Sequence, residues 1–515
     1  MKRCVCIVSI AMMVLAVGCG SVVDASWMDE FSFSGTFESI YWDHDPDDWT
    51  LGENDIYEGP YSSFENQLLL HVDWRNWYAE IKLRNMQYQD GIHYDYRSRE
   101  HETDLEVFKF KAGFRTEHFT VTGGDFYRSL GRGIVLYVQE DKDLNLDRTI
   151  RGGDIVFTAD WFEAGIFGGE VTWYEFVDNV SLLTYSEREI NDELFGGHLG
   201  FRIMDGVTLT ANYVTGTLYD YVRSEEVGED FQVAGAAANV SGLFGGHLDL
   251  YGEFGRLMWD ADDPYGVETE DGEAMYASAT GYIGDLTVLV EYKDYDYWDY
   301  RYGRPPTADR EDEASEIDDI KGLRVKLDYY FPSSDTLVYF SYGAFDNQGH
   351  PDALGNIFRN TINHYYGGIE QTWQNMYVHL TWGYKDFEDI DEVHRRGTAD
   401  LVYSFFDRHS LNLYYEYKYT GVPGSDKDEH KTYLTYSFSP YVSVTAHYNR
   451  HVYDYDLLND SEDEWWAGEL SVTPIDTLTV NVLFGGLPTG LLCSGGQCRI
   501  VPEFEGLQAS VTYTF

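Results

Sequence analysis

Side chains that change polarity at every second residue, run after run, constrain this chain more than any other feature of its sequence. Between Glu503 and Phe515, the residues Leu507, Ala509, Val511, Tyr513 and Phe515 alternate with Gln508, Ser510, Thr512 and Thr514. A period of two puts each row on its own face of a β-strand. Leu68, Leu70, Val72 and Trp74 alternate in the same way with Leu69, His71 and Asp73. Ala79, Ile81 and Leu83 do so against Glu80, Lys82 and Arg84, and the pattern returns at Leu323–Phe331, Leu411–Tyr419 and Leu478–Phe484. One apolar and one polar row per strand suits a sheet with lipid on one side and water on the other. In a soluble protein the same pattern would close a sandwich.

Connections between these runs are by turns short and long. Tight links fall at Arg75-Asn76, Asp205-Gly206, Gly284-Asp285, Pro332-Ser333-Ser334, Gln374-Asn375, Asp407-Arg408, Ser439-Pro440 and Thr473-Pro474, all with turn chemistry. Long links span 44–63, 88–101, 176–192, 259–271, 300–316, 347–361 and 487–501. If 126–148 is a single long loop after the fifth strand, the chain holds about 24 strands, an even number as single-chain bacterial barrels require. The expectation is all-β: one large antiparallel transmembrane barrel over 26–515, with that loop folded inward.

Composition supports this reading. No stretch of about 18 apolar residues follows the N-terminus, so helical spans are not expected. Aromatic residues make up 17% of the chain, with 43 Tyr, and the mean hydropathy is negative. Alternation hides a lipid-facing row within such an average, and Tyr and Trp near strand ends suit interfacial girdles. A formal charge of −53 excludes a general affinity for nucleic acid.

Residues 1–25 have the make-up of a secretory signal: Lys2 and Arg3, an apolar stretch from Val5 to Val17, and Val23-Asp24-Ala25 before Ser26. Ala16-Val17-Gly18-Cys19 offers a second reading, a lipoprotein signal lipidated at Cys19. After export only Cys493 and Cys498 remain. With no second ligand pair nearby, a disulfide-closed loop is expected there rather than a metal site.

A chain ending on an aromatic residue, with Tyr two places before it, resembles the closing strand of bacterial outer-membrane β-barrels. That resemblance implies that Tyr513 and Phe515 belong to the signal read by the barrel-insertion machinery. Gly123-Gly124-Asp125-Phe126-Tyr127, then Gly131-Arg132-Gly133 and the acidic run from Glu140 to Asp147, resemble a family of uncharacterised bacterial outer-membrane barrel proteins. The resemblance covers roughly residues 121–155 and implies fold and location, with no activity attached.

Basic side chains are scarce, so their placement is informative. Lys82, Arg84, Lys109 and Lys111 fall at inward-type positions, although Leu105 and Val107 share the parity of Lys109 and Lys111. Arg128, Arg132, Arg148 and Arg151 lie in or beside the long loop. With the loop turned inward, these cations and Glu140 and Asp141 would line a constriction that favours anionic or zwitterionic solutes. The plainer reading is a set of salt bridges with Glu80, Glu140, Asp141 and Asp147 pinning the loop to the wall. Both readings can hold together. Asp141, Asp143, Asn145 and Asp147 approach a Ca²⁺ loop, but Leu146 stands where its glycine belongs. Acidic loops such as 43–48 and 260–263 read chiefly as solvated outer surface.

Enzyme signals are poor. His101-Glu102 begins a zinc-protease pattern that Leu105 breaks, and there is no Gly-x-Ser-x-Gly elbow and no phosphate loop. No cofactor is expected. Tyr330 and Tyr414 sit at inward-type positions where a sugar could stack. The function expected is a porin-like channel or transporter for small polar solutes in the outer membrane, among lipid and lipopolysaccharide. The alternative is a non-transporting barrel that scaffolds a periplasmic or lumen-bound partner, including an electron carrier; a barrel enzyme ranks third. With no plug domain expected ahead of the strands, a TonB-dependent receptor is disfavoured.

Overall fold

The computed structural model describes residues 30–44, 61–89, 105–141, 146–179, 184–222, 225–259, 271–298, 300–306, 319–347, 360–455, 461–488, 490–494, 497–501 and 504–515. The expected signal at 1–25 lies outside them. The alternating runs become strands because β-branched and aromatic residues pack well on a pleated surface. Those lining the sheet are β1 (Phe31–His44), β2 (Tyr61–Trp74), β3 (Trp77–Gln89), β4 (Leu105–Arg115), β5 (Phe119–Phe126) and β6 (Ile150–Thr158). Next come β7 (Phe162–Asn179), β8 (Thr184–Met204), β9 (Val207–Val222), β10 (Glu225–Gly242), β11 (Leu248–Trp259) and β12 (Gly272–Ile283). They continue with β13 (Leu286–Asp296), β14 (Ile320–Phe331), β15 (Thr336–Asn347), β16 (Asn360–Trp373), β17 (Met376–Phe387) and β18 (Glu392–Phe405). The last are β19 (His409–Val422), β20 (Ser425–Phe438), β21 (Val442–Tyr455), β22 (Ser461–Ile475), β23 (Leu478–Leu487) and β24 (Phe504–Thr514).

These form one 24-stranded sheet. Each strand pairs antiparallel with its neighbours in sequence, and β1 closes the circle on β24, Phe37 opposite Tyr513. Gly35 and Phe515 exchange backbone hydrogen bonds of 2.9 and 3.0 Å across the seam. Closure leaves no unpaired edge to face lipid. The fold is therefore a closed antiparallel β-barrel of the outer-membrane type.

The outward row carries large exposed apolar side chains: Phe195, Leu199, Phe201, Leu411, Leu413 and Tyr415 among many. On β16, Tyr365 and Trp373 mark its two ends. They are eight residues apart, roughly 27 Å along the strand and about 20 Å in height at a tilt near 40°, close to the apolar band of such barrels. Rings meet in series at the short-turn end, as in Phe119–Phe157 at 4.9 Å and Phe162–Phe201 at 5.1 Å. These are girdle contacts.

Three sequence expectations change. The turn expected at Thr473-Pro474 lies instead at Asp476-Thr477. Pro474 stays within β22, where the register slips between Val472 and Ile475, because a residue without N–H cannot join the ladder. The long link expected at 176–192 is mostly strand, since β7 runs to Asn179 and β8 starts at Thr184. Finally, the parity conflict in β4 is resolved by a bulge. Register shifts between Lys82 and Leu83, leaving Phe108 without a partner, so Leu105 and Val107 face out while Lys109 and Lys111 turn in.

Cys493 and Cys498 face each other in register in a small hairpin, Gly490–Ser494 with Gln497–Val501. Their side chains lie outside the described set.

Candidate functional site in the barrel interior

Between β5 and β6 the chain forms a hairpin, Arg128–Leu130 paired with Leu136–Val138. Its side chains Leu130, Ile134, Val135, Leu136 and Val138 join one buried cluster with inward residues of the wall, among them Leu194, Val214, Phe231, Val233 and Leu257. Gly235 and Gly255 stand opposite each other on β10 and β11 and make a dimple for the hairpin tip. A Cβ on Gly235 would meet Val135 Cγ2 at 2.3 Å, and one on Gly255 would meet Ile134 Cγ2 at 2.7 Å. The Gly131-Arg132-Gly133 motif has a matching reason. Gly131 (φ +62) and Gly133 (φ +95) bring the backbone against the Glu253 carboxylate and the Arg304 carbonyl, where any side chain would collide.

A second segment, 297–306 after β13, packs on the first. Trp298, Tyr300 and Tyr302 are buried in the same cluster. The two segments exchange backbone bonds, Tyr137 N–H to Tyr302 O at 2.7 Å and Arg304 N–H to Gly133 O at 2.8 Å. Asp192 of β8 anchors the second segment. Fully buried, it accepts from Arg301 Nη1 at 2.7 Å, the Tyr302 hydroxyl at 2.6 Å and Tyr219 N–H at 2.7 Å. Burial, then Asp192, raises the Tyr302 phenol well above its ordinary value, so it stays a donor. Arg148 donates to Arg301 O at 3.3 Å. Burial, with Arg301 alongside, lowers its guanidinium from the usual range, and Tyr302 and Asp192 pull the other way.

Arg128 and Arg132 sit on the hairpin. Arg128 Nη2 donates to His198 Nδ1 at 2.6 Å, and His198 Nε2 in turn donates to Glu163 at 2.9 Å. The nearest Asp154 oxygen to Arg128 is 3.8 Å away. Arg132 donates to the Tyr276 hydroxyl at 2.8 Å and lies 4.1 Å over the Tyr251 ring, a cation–π contact. Below the hairpin, toward the short-turn end of β9 and β10, an open cavity of ≈ 360 Å³ is lined by both arginines with Thr208, Thr210, Asn212 and Asn239.

Of the other expected residues, Lys111 pairs with Glu80 at 3.0 Å and Arg84 with Glu106 at 2.6 Å. Arg84, Lys82 and Lys109 gather around the Phe108 ring at 4.0, 5.2 and 5.3 Å. Lys109 reaches the Tyr127 hydroxyl at the root of the hairpin, 3.2 Å away. Arg151 does not join this group. It shares the outward row of Ile155, bonded to Asp125 at 3.0 Å and 5.9 Å over Phe110. Glu140 is exposed beside a short bridge to Asp147. Asp143 and Asn145 lie outside the described residues. Among the described residues, no group of three His, Cys, Asp or Glu side chains is placed to hold a metal ion.

On the far arc the inward row is charged and part-exposed: Arg396–Glu416 at 3.1 Å, Lys427–Glu429 at 3.0 Å and His451–Glu429 at 3.4 Å. Tyr414 stacks on Tyr433 at 4.5 Å and donates to Glu416, while Tyr330 donates to Asp335. Sequence reasoning missed the second segment and its anchor. The signal was there in Trp298-x-Tyr300-x-Tyr302, a period-two aromatic run placed where a solvated loop was expected.

The chain matches a family of unknown function (DUF6029) over residues 1–330 and 368–515. It belongs to that family. No curated protein matches this DUF6029 chain. Among solved structures, it is similar to the siderophore receptor PirA from Acinetobacter baumannii, with TM-score 0.52, 8% identity, and 94% of this chain aligned to 80% of that one. The copper transporter OprC matches at TM-score 0.50 and 10% identity, again with 94% and 80% covered. PirA from Pseudomonas aeruginosa gives the same four figures, 0.50, 10%, 94% and 80%. At such identities the likeness is one of fold. The DUF6029 chain therefore shares the barrel architecture of transporters, and its site must be read from its own residues.

Proposed function

We propose that this DUF6029 barrel spans the bacterial outer membrane, among lipid and lipopolysaccharide, as a channel or transporter for small polar solutes. In this reading, 126–148 is the inward-folded loop that narrows its lumen, with 297–306 as a strap across it. The barrel is the mature chain 26–515, and Tyr513 and Phe515 present its closing strand to the insertion machinery. Cys493 and Cys498 close a disulfide in their hairpin. The observation that carries the reading is the asymmetry of the inward row. Along the β6–β17 arc one buried apolar cluster takes in both segments and its charges, among them Asp192, Glu253, Glu291 and Lys293, are buried, whereas β18–β21 and β3–β4 line the remaining space with paired, part-exposed charges. A barrel this wide cannot be filled by wall side chains alone, so a hydrated crescent remains for solute.

Conductance of the purified protein in planar bilayers tests this. The wild type is expected to conduct, and deletion of 128–146 to raise the conductance several-fold. Silence in both would remove the channel reading and leave the scaffold alternative.

A further inference from the structure

We propose that the cavity under the hairpin is a binding site for a hydroxylated monocarboxylate, with Arg128 and Asn212 holding the carboxylate. The proposal rests on the channel reading and names the solute class selected on the way through. Two residues that line this space each carry a buried donor with nothing to bond. Among the described residues, the Arg128 Nε–H and the Asn212 side-chain amide have no hydrogen-bond partner. Asn212 is only 6% exposed. Buried donors left unpaired are costly, and those that persist in a cavity wall mark where a ligand's acceptor belongs.

The surrounding charge agrees. Arg128 donates to a neutral acceptor, the His198 Nδ1, while the His198 Nε2–H donates to Glu163. Asp154 stands beyond hydrogen-bond reach of it. The Arg132 guanidinium is held by a phenol and an aromatic face, while Glu253 accepts from its backbone N–H at 2.8 Å. In a chain with a net charge of −53, two cations share one cavity edge, with Asp154 3.8 Å from Arg128 and Glu253 bonded to the Arg132 backbone rather than to its guanidinium, so both guanidinium groups keep capacity for an added anion. Across from them, Thr208, Thr210 and Asn239 supply hydroxyl and amide groups, which suit solute hydroxyls. Glu163 on the rim opposes a second negative charge, so a monocarboxylate fits better than a dicarboxylate or phosphate. The volume lies at the small end of ligand pockets and takes a molecule of roughly ten to fifteen non-hydrogen atoms.

Gluconate and glucose, alike in size and differing in charge, are suitable probes for calorimetric titration of the detergent-solubilised full chain. Gluconate is expected to bind saturably and glucose at least tenfold more weakly. Arg128→Gln and Asn212→Leu should each weaken gluconate at least tenfold, as loss of a charge-assisted or buried hydrogen bond implies. Thr210→Val, close in shape, should weaken it less and serves as the variant least able to disturb folding; circular dichroism checks the barrel in all three. Equal binding of glucose and gluconate, no gluconate binding, or wild-type affinity in both Arg128→Gln and Asn212→Leu overturns the site. A chain that binds gluconate but is silent in bilayers overturns the channel reading and leaves the site standing. One that conducts without binding removes the site alone.

Discussion

Removing one carboxylate should unfasten the strap while leaving the barrel closed. Asp192 is fully buried and collects three donors, the Arg301 guanidinium, the Tyr302 phenol and the Tyr219 amide. Asp192→Ala removes the acceptor that all three share. Arg301, with 17% of its side chain exposed, would lose its short bond to the carboxylate and keep a longer 3.3 Å bond to Tyr219 O. Truncating one partner of a buried ion pair costs about 3–5 kcal/mol. Strands β8 and β9 keep their ladder, so the cost falls on the docking of 297–306 rather than on the sheet. At 1.4 kcal/mol per tenfold, the undocked population should rise by about two to three and a half orders of magnitude. Hydrogen exchange with mass-spectrometric readout of the folded barrel in detergent measures this at the Tyr137 and Arg304 amides, whose bonds join the two segments. Asp192→Asn, which keeps an acceptor and loses the charge, should fall between wild type and Asp192→Ala. Unchanged protection at those two amides in Asp192→Ala, or an equal loss throughout the strands, would refute the reasoning.

Gly235→Leu fills the dimple that receives Val135. It should displace the hairpin tip at a cost of about 1–3 kcal/mol from overpacking, seen as faster proteolysis within 127–149 and a larger single-channel conductance. Arg128→Ala with Arg132→Ala should shift the reversal potential in a salt gradient toward cations; an unchanged potential would retire any role for these residues in charge selection. Tyr302 makes a prediction for alkaline solution. Its phenol is raised in the folded protein, so its contribution is fully present below the ordinary tyrosine value of about 10 and is lost as pH climbs toward the shifted one. Strap opening should therefore be flat across neutral pH and rise in strong alkali, by near-ultraviolet absorbance against Tyr302→Phe.

Most of the barrel was legible because strand, turn and face are local properties. Leu411 to Tyr419 alternates as written, and the turns at Asp205-Gly206, Gly284-Asp285 and Gln374-Asn375 fall where their residues asked for them. What escaped was decided by partners distant in the chain. Phe108 bulges because its cross-strand neighbours leave it none, and no count of parity within β4 reveals that. Arg151 looked like its loop companions by position. Its partner Asp125 and the outward row of Ile155 place it on the other face. The interior site was half visible. Gly131-Arg132-Gly133 stood out as a motif, yet its reason is Glu253 and Arg304, more than a hundred positions away. Asn212 gave no sign in the sequence, since one amide in a strand row becomes informative only when nothing is found to bond it.

The two interior segments brace only one side of the tube. From β6 to β17 the wall leans on an oily buttress of its own, so that arc should tolerate thin, foreign or missing lipid. Among the described residues no such segment packs against the opposite arc from within, and that arc depends on its girdle and on the bilayer to keep its curvature. Heat or harsh detergent should therefore open the cylinder along the unbuttressed flank first, with the supported flank peeling away last as a single curved shell.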